Sequence, residues 1–239
     1  TDRTMISIPY LICSILSFVP AIVCHEACHG FAAYKLGDPT AKRAGRLSFN
    51  PLKHIDPFGT VIMPLLLMAM NMPVFGYAKP VPYNPAYFKD PRKGDLIVGL
   101  AGPAANLVLA VLGAVVYTLV MLVLPVSALA QNDVFYYFLT LFLPMFSLIN
   151  LYLMFFNLLP IPPLDGSHAL NLAVSALFGP LVGDAVAALA GVLCSLALLG
   201  GAVYLYVQTR GGALVIFAAL ALLLSALKEL RLARRAIKV

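Results

Sequence analysis

The chain has 239 residues, of which 62% are hydrophobic and 11% charged, with a mean hydropathy of +0.93. Soluble domains are roughly half apolar, so this composition excludes an ordinary soluble fold and points to lipid as the solvent. The net charge of +6 does not indicate nucleic acid, because the basic residues fall in loops between apolar stretches and in the tail from Lys228 to Lys238, where membrane topology places them.

A membrane-spanning helix needs roughly 20 mostly apolar residues. The first such stretch, 5–24, runs directly into His25, Glu26, Ala27, Cys28 and His29 with no small-residue cleavage site, so it is expected to remain, as part of a helix over 5–34, rather than leave as a signal peptide. His25 and His29 share one helical face, an HExxH spacing that lets both imidazoles bind one zinc ion with Glu26 beside them as general base. A chance match is the plain alternative. Against it, charged side chains inside a span cost roughly 2.5–3.5 kcal/mol each on insertion scales, and a metal ion supplies the partner such a cluster needs. Cys13, Cys24, Cys28 and Cys194 form no CxxC pair and read as small buried hydrophobes.

Region 43–93 is expected to hold a short β-hairpin and a re-entrant segment. Gly45 to Asn50 alternates apolar and polar residues and stops at Pro51, which suggests a strand. Two basic loops, one with Lys35, Lys42, Arg43, Arg46 and Lys53 and the other with Lys79, Lys89, Arg92 and Lys93, should both be cytoplasmic. The apolar stretch Phe58 to Phe75 between them, interrupted by Pro64 and Pro73, is therefore expected to be a re-entrant hairpin rather than one full crossing. His54 and Asp56, in PLKHIDP, read as solvated or membrane-surface loop residues.

The next span, 94–124, carries GPAAN at Gly102 to Asn106, whose small residues suit close helix approach in a bilayer; Asn106 is read as structural. The loop 125–133 lacks Lys and Arg and is expected outside. Region 134–180 is a helix broken in NLLPIPPLDG by Pro160, Pro162 and Pro163. A catalytic zinc takes three protein ligands and keeps one position for water, and Asp165, at this break, is the best candidate for the third. Its plain alternative is an N-cap of the following helix. His168, three residues on, shares its face and reads as a partner of Asp165 more readily than as a ligand. Helices 182–207 and 213–235 then leave a cytoplasmic C-terminus. No internal repeat and no linker divides the chain, so 1–239 is read as one integral membrane domain, an all-α polytopic fold of about five to six transmembrane helices.

HEACHG, GPAAN and NLLPIPPLDG together resemble the site-2 protease family of intramembrane zinc metalloproteases, in that family's order, and cover the chain from the first helix to Gly166. No PDZ or CBS domain is recognisable, so the resemblance is to the minimal, core-only group. It implies one zinc ion on His25, His29 and Asp165, with Glu26 activating water and Asn157 holding the substrate carbonyl or the oxyanion. It also implies an endopeptidase acting on transmembrane proteins or peptides, in regulated intramembrane proteolysis or in clearance of membrane stubs. The site is expected near the cytoplasmic face of a prokaryotic cell membrane. A metal-binding membrane transporter or channel is the alternative; the glutamate between the histidines and the lack of duplicated halves count against it.

Overall fold

Prolines and glycines set the helix boundaries in this computed structural model, which describes residues 8–62, 66, 78–123, 133–209 and 213–237. Helix α1 (Ile8–Lys35) stops at Gly37, whose φ of +103° is the left-handed conformation glycine adopts without strain. A short α2 (Thr40–Arg43) follows. Helix α3 (Pro91–Val123) opens with proline, whose fixed φ suits a first helical position, and Asp90 caps it by accepting from the Arg92 and Lys93 amides at 3.2 and 3.1 Å. Helix α4 (Val134–Asn157) contains a π turn at Phe138–Phe142. Helix α5 (Gly166–Phe178) ends at Gly179, with φ of +87°. It is followed by α6 (Pro180–Thr209) and α7 (Ala213–Ile237).

Helices α1, α3 and α4 pack against one another, α5 bridges from α3 to α6, and α7 lies along α6. Four described helices, α1, α3, α4 and α6, are long and apolar enough to cross a membrane, against the five to six expected. Only 17 to 33% of the residues in their most apolar windows are buried, so most of their apolar surface is left for lipid. Where helices touch, small residues allow it: a Cβ on Gly113 would come within 2.5 Å of Ser147 Oγ, and one on Gly183 would collide with Ser175 Oγ.

The expected β-hairpin does not form. Among the described residues there is no β-strand, and Gly45 to Asn50 is an irregular loop. Two buried polar side chains take the bonds a ladder would use. The Arg46 guanidinium donates to the carbonyl of Lys79, and the His54 ring bonds the Ser48 carbonyl at 2.7 Å. The facing segment from Lys79 carries Pro80, Pro82 and Pro85, which have no amide hydrogen to donate. His54, expected at the surface, is 2% exposed, and its own carbonyl accepts from Lys79 N at 3.0 Å. Of the expected re-entrant segment, Pro57–Ile62 is a π turn; beyond it, the stretch to Phe75 lies almost wholly outside the described residues.

Candidate metal centre and active site

His25 and His29 are both buried on α1, with ring centroids 4.7 Å apart. Each is anchored by α3 through Nδ1: His25 to Asn106 Oδ1 at 2.5 Å and His29 to the Val98 carbonyl at 2.6 Å. A carbonyl oxygen only accepts, so His29 carries its proton on Nδ1. The Asn106 amide is fixed the same way, because its Nδ2 donates to the Ala21 carbonyl at 3.2 Å and to Asn150 Oδ1 at 2.8 Å, leaving Oδ1 to accept from His25. In the neutral form both histidines therefore turn a bare Nε2 lone pair towards the same point, the arrangement that outer-shell partners impose on metal-binding imidazoles.

Asp165 faces that point. It occupies the N-cap position of α5, yet its side chain makes no capping bond, which removes the plain alternative for this residue. Its Oδ2 lies 3.2 Å from His25 Nε2 and 3.5 Å from His29 Nε2 and is buried with no hydrogen-bond partner. Three electron-pair donors within 4.8 Å of one another, with no proton between the neutral rings and the carboxylate, repel unless a cation joins them. Two nitrogens and one carboxylate oxygen are a donor set suited to catalytic zinc. Space is kept for an ion by Gly102: a Cβ there would stand 2.7 Å from His25 Nε2 and collide with His29 Nε2.

Glu26 is rotated about 100° from His25 around the helix, and its Oε2 accepts from the Val81 amide at 2.9 Å. It is thereby fixed to the proline-rich segment that follows Lys79. Asn157 stands at the end of α4 with Nδ2 turned back onto the Leu153 carbonyl at 2.9 Å, so its amide is engaged within its own helix. The fold thus unites His25, His29 and Asp165, sets Glu26 next to them in sequence, and leaves Asn157 bonded elsewhere.

His168 is paired with Asp95, not with Asp165: its Nδ1 lies 2.6 Å from Asp95 Oδ2, and Asp95 Oδ1 accepts from the Tyr83 hydroxyl at 2.6 Å. Burial first, and the neighbouring Asp95 carboxylate next, push the Tyr83 hydroxyl well above the usual tyrosine range. The reading from sequence missed Asp95, Tyr83 and Asn150, and took Asn106 for a packing residue. Asn150 offered a signal, since a polar side chain in the middle of an apolar span needs an internal partner.

The profile of peptidase family M50 matches residues 119–201, a stretch that includes Asp165. YwhC of Bacillus subtilis (strain 168), which bears a zinc metalloprotease name, is 43% identical over 158 residues, 66% of either chain. The chain belongs to the site-2 protease family. Another zinc metalloprotease by name, Rip2 of Mycolicibacterium smegmatis, is 33% identical over 171 residues, covering 72% of this chain and 61% of that one. This site-2 protease family member thus spans about two thirds or less of the curated relatives it matches. It shares its fold with the site-2 protease from Methanocaldococcus jannaschii, with a TM-score of 0.51 and 22% identity over 96% of this chain and 82% of the other.

Proposed function

We propose that this chain is an intramembrane zinc endopeptidase that hydrolyses peptide bonds within or near the transmembrane segments of membrane proteins. The observation that carries this reading is the convergence of His25 Nε2, His29 Nε2 and Asp165 Oδ2 on one point beside the HExxH glutamate. One zinc ion per chain, held by these three residues, would supply Lewis-acid polarisation and a bound water with a pKa lowered towards about 7. Asn106 and the Val98 carbonyl keep both imidazoles in the ligating tautomer. Glu26 takes the proton of the attacking water, and the Val81 amide orients its carboxylate until then. Asn157, released from Leu153, would hold the substrate carbonyl.

A helical substrate hides its carbonyls in its own hydrogen bonds, so the scissile segment enters unwound. The distribution of Lys and Arg supports a site towards the cytoplasmic face of a prokaryotic cell membrane, with the C-terminus on the same side. Transport of a metal draws no support from the relatives. The test is Glu26→Gln: the purified variant should keep about one zinc per chain and lose cleavage of a transmembrane reporter. Undiminished cleavage would remove Glu26 from the chemistry.

A further inference from the structure

An arginine side chain carries its charge in every setting a protein offers, and burying that charge is costly unless other partners replace the water it loses. Arg46 is 7% exposed, yet among the described residues no carboxylate pairs with it and its Nε has no hydrogen-bond partner. Its partners are two backbone carbonyls, that of Lys79 and that of Pro80, the second 3.4 Å from Nη2.

The second carbonyl belongs to the peptide unit that holds Glu26. The Pro80 carbonyl and the Val81 amide form one planar group, and the Val81 amide donates to Glu26 Oε2 at 2.9 Å. The unit is trans, so its oxygen and its N–H point in opposite directions. A dipole of about 3.5 D therefore stands with its negative end towards the guanidinium and its positive end towards the carboxylate. Hydrogen bonds made at the two ends of one polar group polarise it in the same sense and strengthen each other.

Packing keeps these groups on α1. Gly30, one residue past His29, faces both segments: a Cβ there would stand 2.9 Å from Leu47 Cδ2 and 2.9 Å from Val81 Cγ1. The residue after Arg46 and the residue that bonds Glu26 thus share one seat beside the HExxH turn. Lys79 is fixed on its other side as well, since its amide donates to the His54 carbonyl at 3.0 Å.

Resting on the protease reading above, we propose that Arg46 is a positioning residue for Glu26: through the Pro80–Val81 peptide, its guanidinium holds the carboxylate in the orientation that takes the proton of the attacking water. The alternative is that Arg46 only pins the loop after α2 to the segment from Lys79, with no effect on Glu26.

The experiment uses the full chain in detergent, as wild type, Arg46→Ala, Arg46→Lys and Glu26→Gln. It reads zinc content, steady-state kinetics on a transmembrane reporter and the carboxyl carbon-13 resonance of Glu26. Glu26 and Glu229 are the only glutamates in the chain, so glutamate labelled at the carboxyl carbon gives two signals, and the one absent from Glu26→Gln is that of Glu26. In Arg46→Ala, zinc content and KM should stay near wild type while kcat falls about 10–100-fold, the range for losing an outer hydrogen-bonding partner of an active centre. The Glu26 signal should move and that of Glu229 stay. Arg46→Lys, which keeps the charge but not the planar fork, should fall between wild type and Arg46→Ala in both kcat and signal.

An unmoved Glu26 signal in Arg46→Ala would overturn the proposal, and so would wild-type kcat in that variant. Should Arg46→Ala not fold, Arg46→Lys decides: wild-type values of both readouts there would overturn the proposal. Loss of folded, zinc-loaded protein from both variants would do the same, since the arginine would then be serving the fold alone. A wild-type chain that cleaves no reporter would instead sink the protease reading, and the Glu26 signal would still decide whether Arg46 acts on Glu26.

Discussion

Asn150 on α4 accepts a 2.8 Å hydrogen bond from Asn106 on α3, and through it reaches His25 on α1, whose Nε2 faces Asp165. Asn150 and Asn106 are fully buried, and Asn150 Nδ2 closes the chain on the Phe146 carbonyl at 2.9 Å. Three helices are thus tied by one polar line that ends on a proposed metal ligand. Asn106→Ala should weaken zinc binding by about 100-fold and Asn150→Leu by about 10-fold, the range observed for outer-shell partners of metal-bound histidines. Competition with a fluorescent chelator would measure both; wild-type affinity in Asn106→Ala would show that His25 needs no orienting partner.

Gly102 gives a steric test of where the ion sits. Gly102→Ala puts a methyl against both Nε2 atoms, and alanine is a better helix former than glycine by about 1 kcal/mol, so the helix should survive while zinc stoichiometry drops well below that of the wild type. Gly99→Ala is the control. Its Cβ would stand 3.4 Å from the His168 Cβ, an ordinary contact, and zinc should be retained. Equal zinc content in the two variants would place the ion elsewhere.

Chelation should act on stability as well as activity. A ligand that binds the folded chain alone stabilises it by about 4 kcal/mol at 1,000 times its Kd. Treatment with a strong chelator should therefore lower the unfolding temperature in detergent, and zinc should restore it. In Asp165→Ala the chelator should make little difference, because one of three ligands is already gone.

Tyr83 offers a pH dependence of known sign. Its hydroxyl is raised in the fold, so the folded state favours the neutral phenol, and the stability this contributes is complete below the ordinary tyrosine pKa of about 10. It is lost as pH climbs from there through the raised value. Tyr83 should therefore resist ionisation in an ultraviolet titration carried past pH ~10, and Tyr83→Phe should shrink the late-ionising fraction by one tyrosine. A wild-type titration with no late-ionising tyrosine would show the hydroxyl to be freely solvated.

The chemistry of the centre is legible in the sequence because it depends on local spacing. Four residues of helix bring His25 and His29 to one side whatever surrounds them, and the prolines before Asp165 break a helix wherever they stand. The membrane character follows from composition alone for the same reason. What tertiary structure decided is everything that depends on which helices meet. Asp165 turned away from its capping position because α5 brings it to α1, and His168 found Asp95 because α3 lies beneath it. Asn106 became part of the centre once α4 supplied Asn150. The expected strand failed for a complementary reason: alternation over Gly45 to Asn50 describes a chain that could pair, but pairing needs a partner with free amides. The fold placed prolines opposite it and filled the remaining carbonyls with Arg46 and His54.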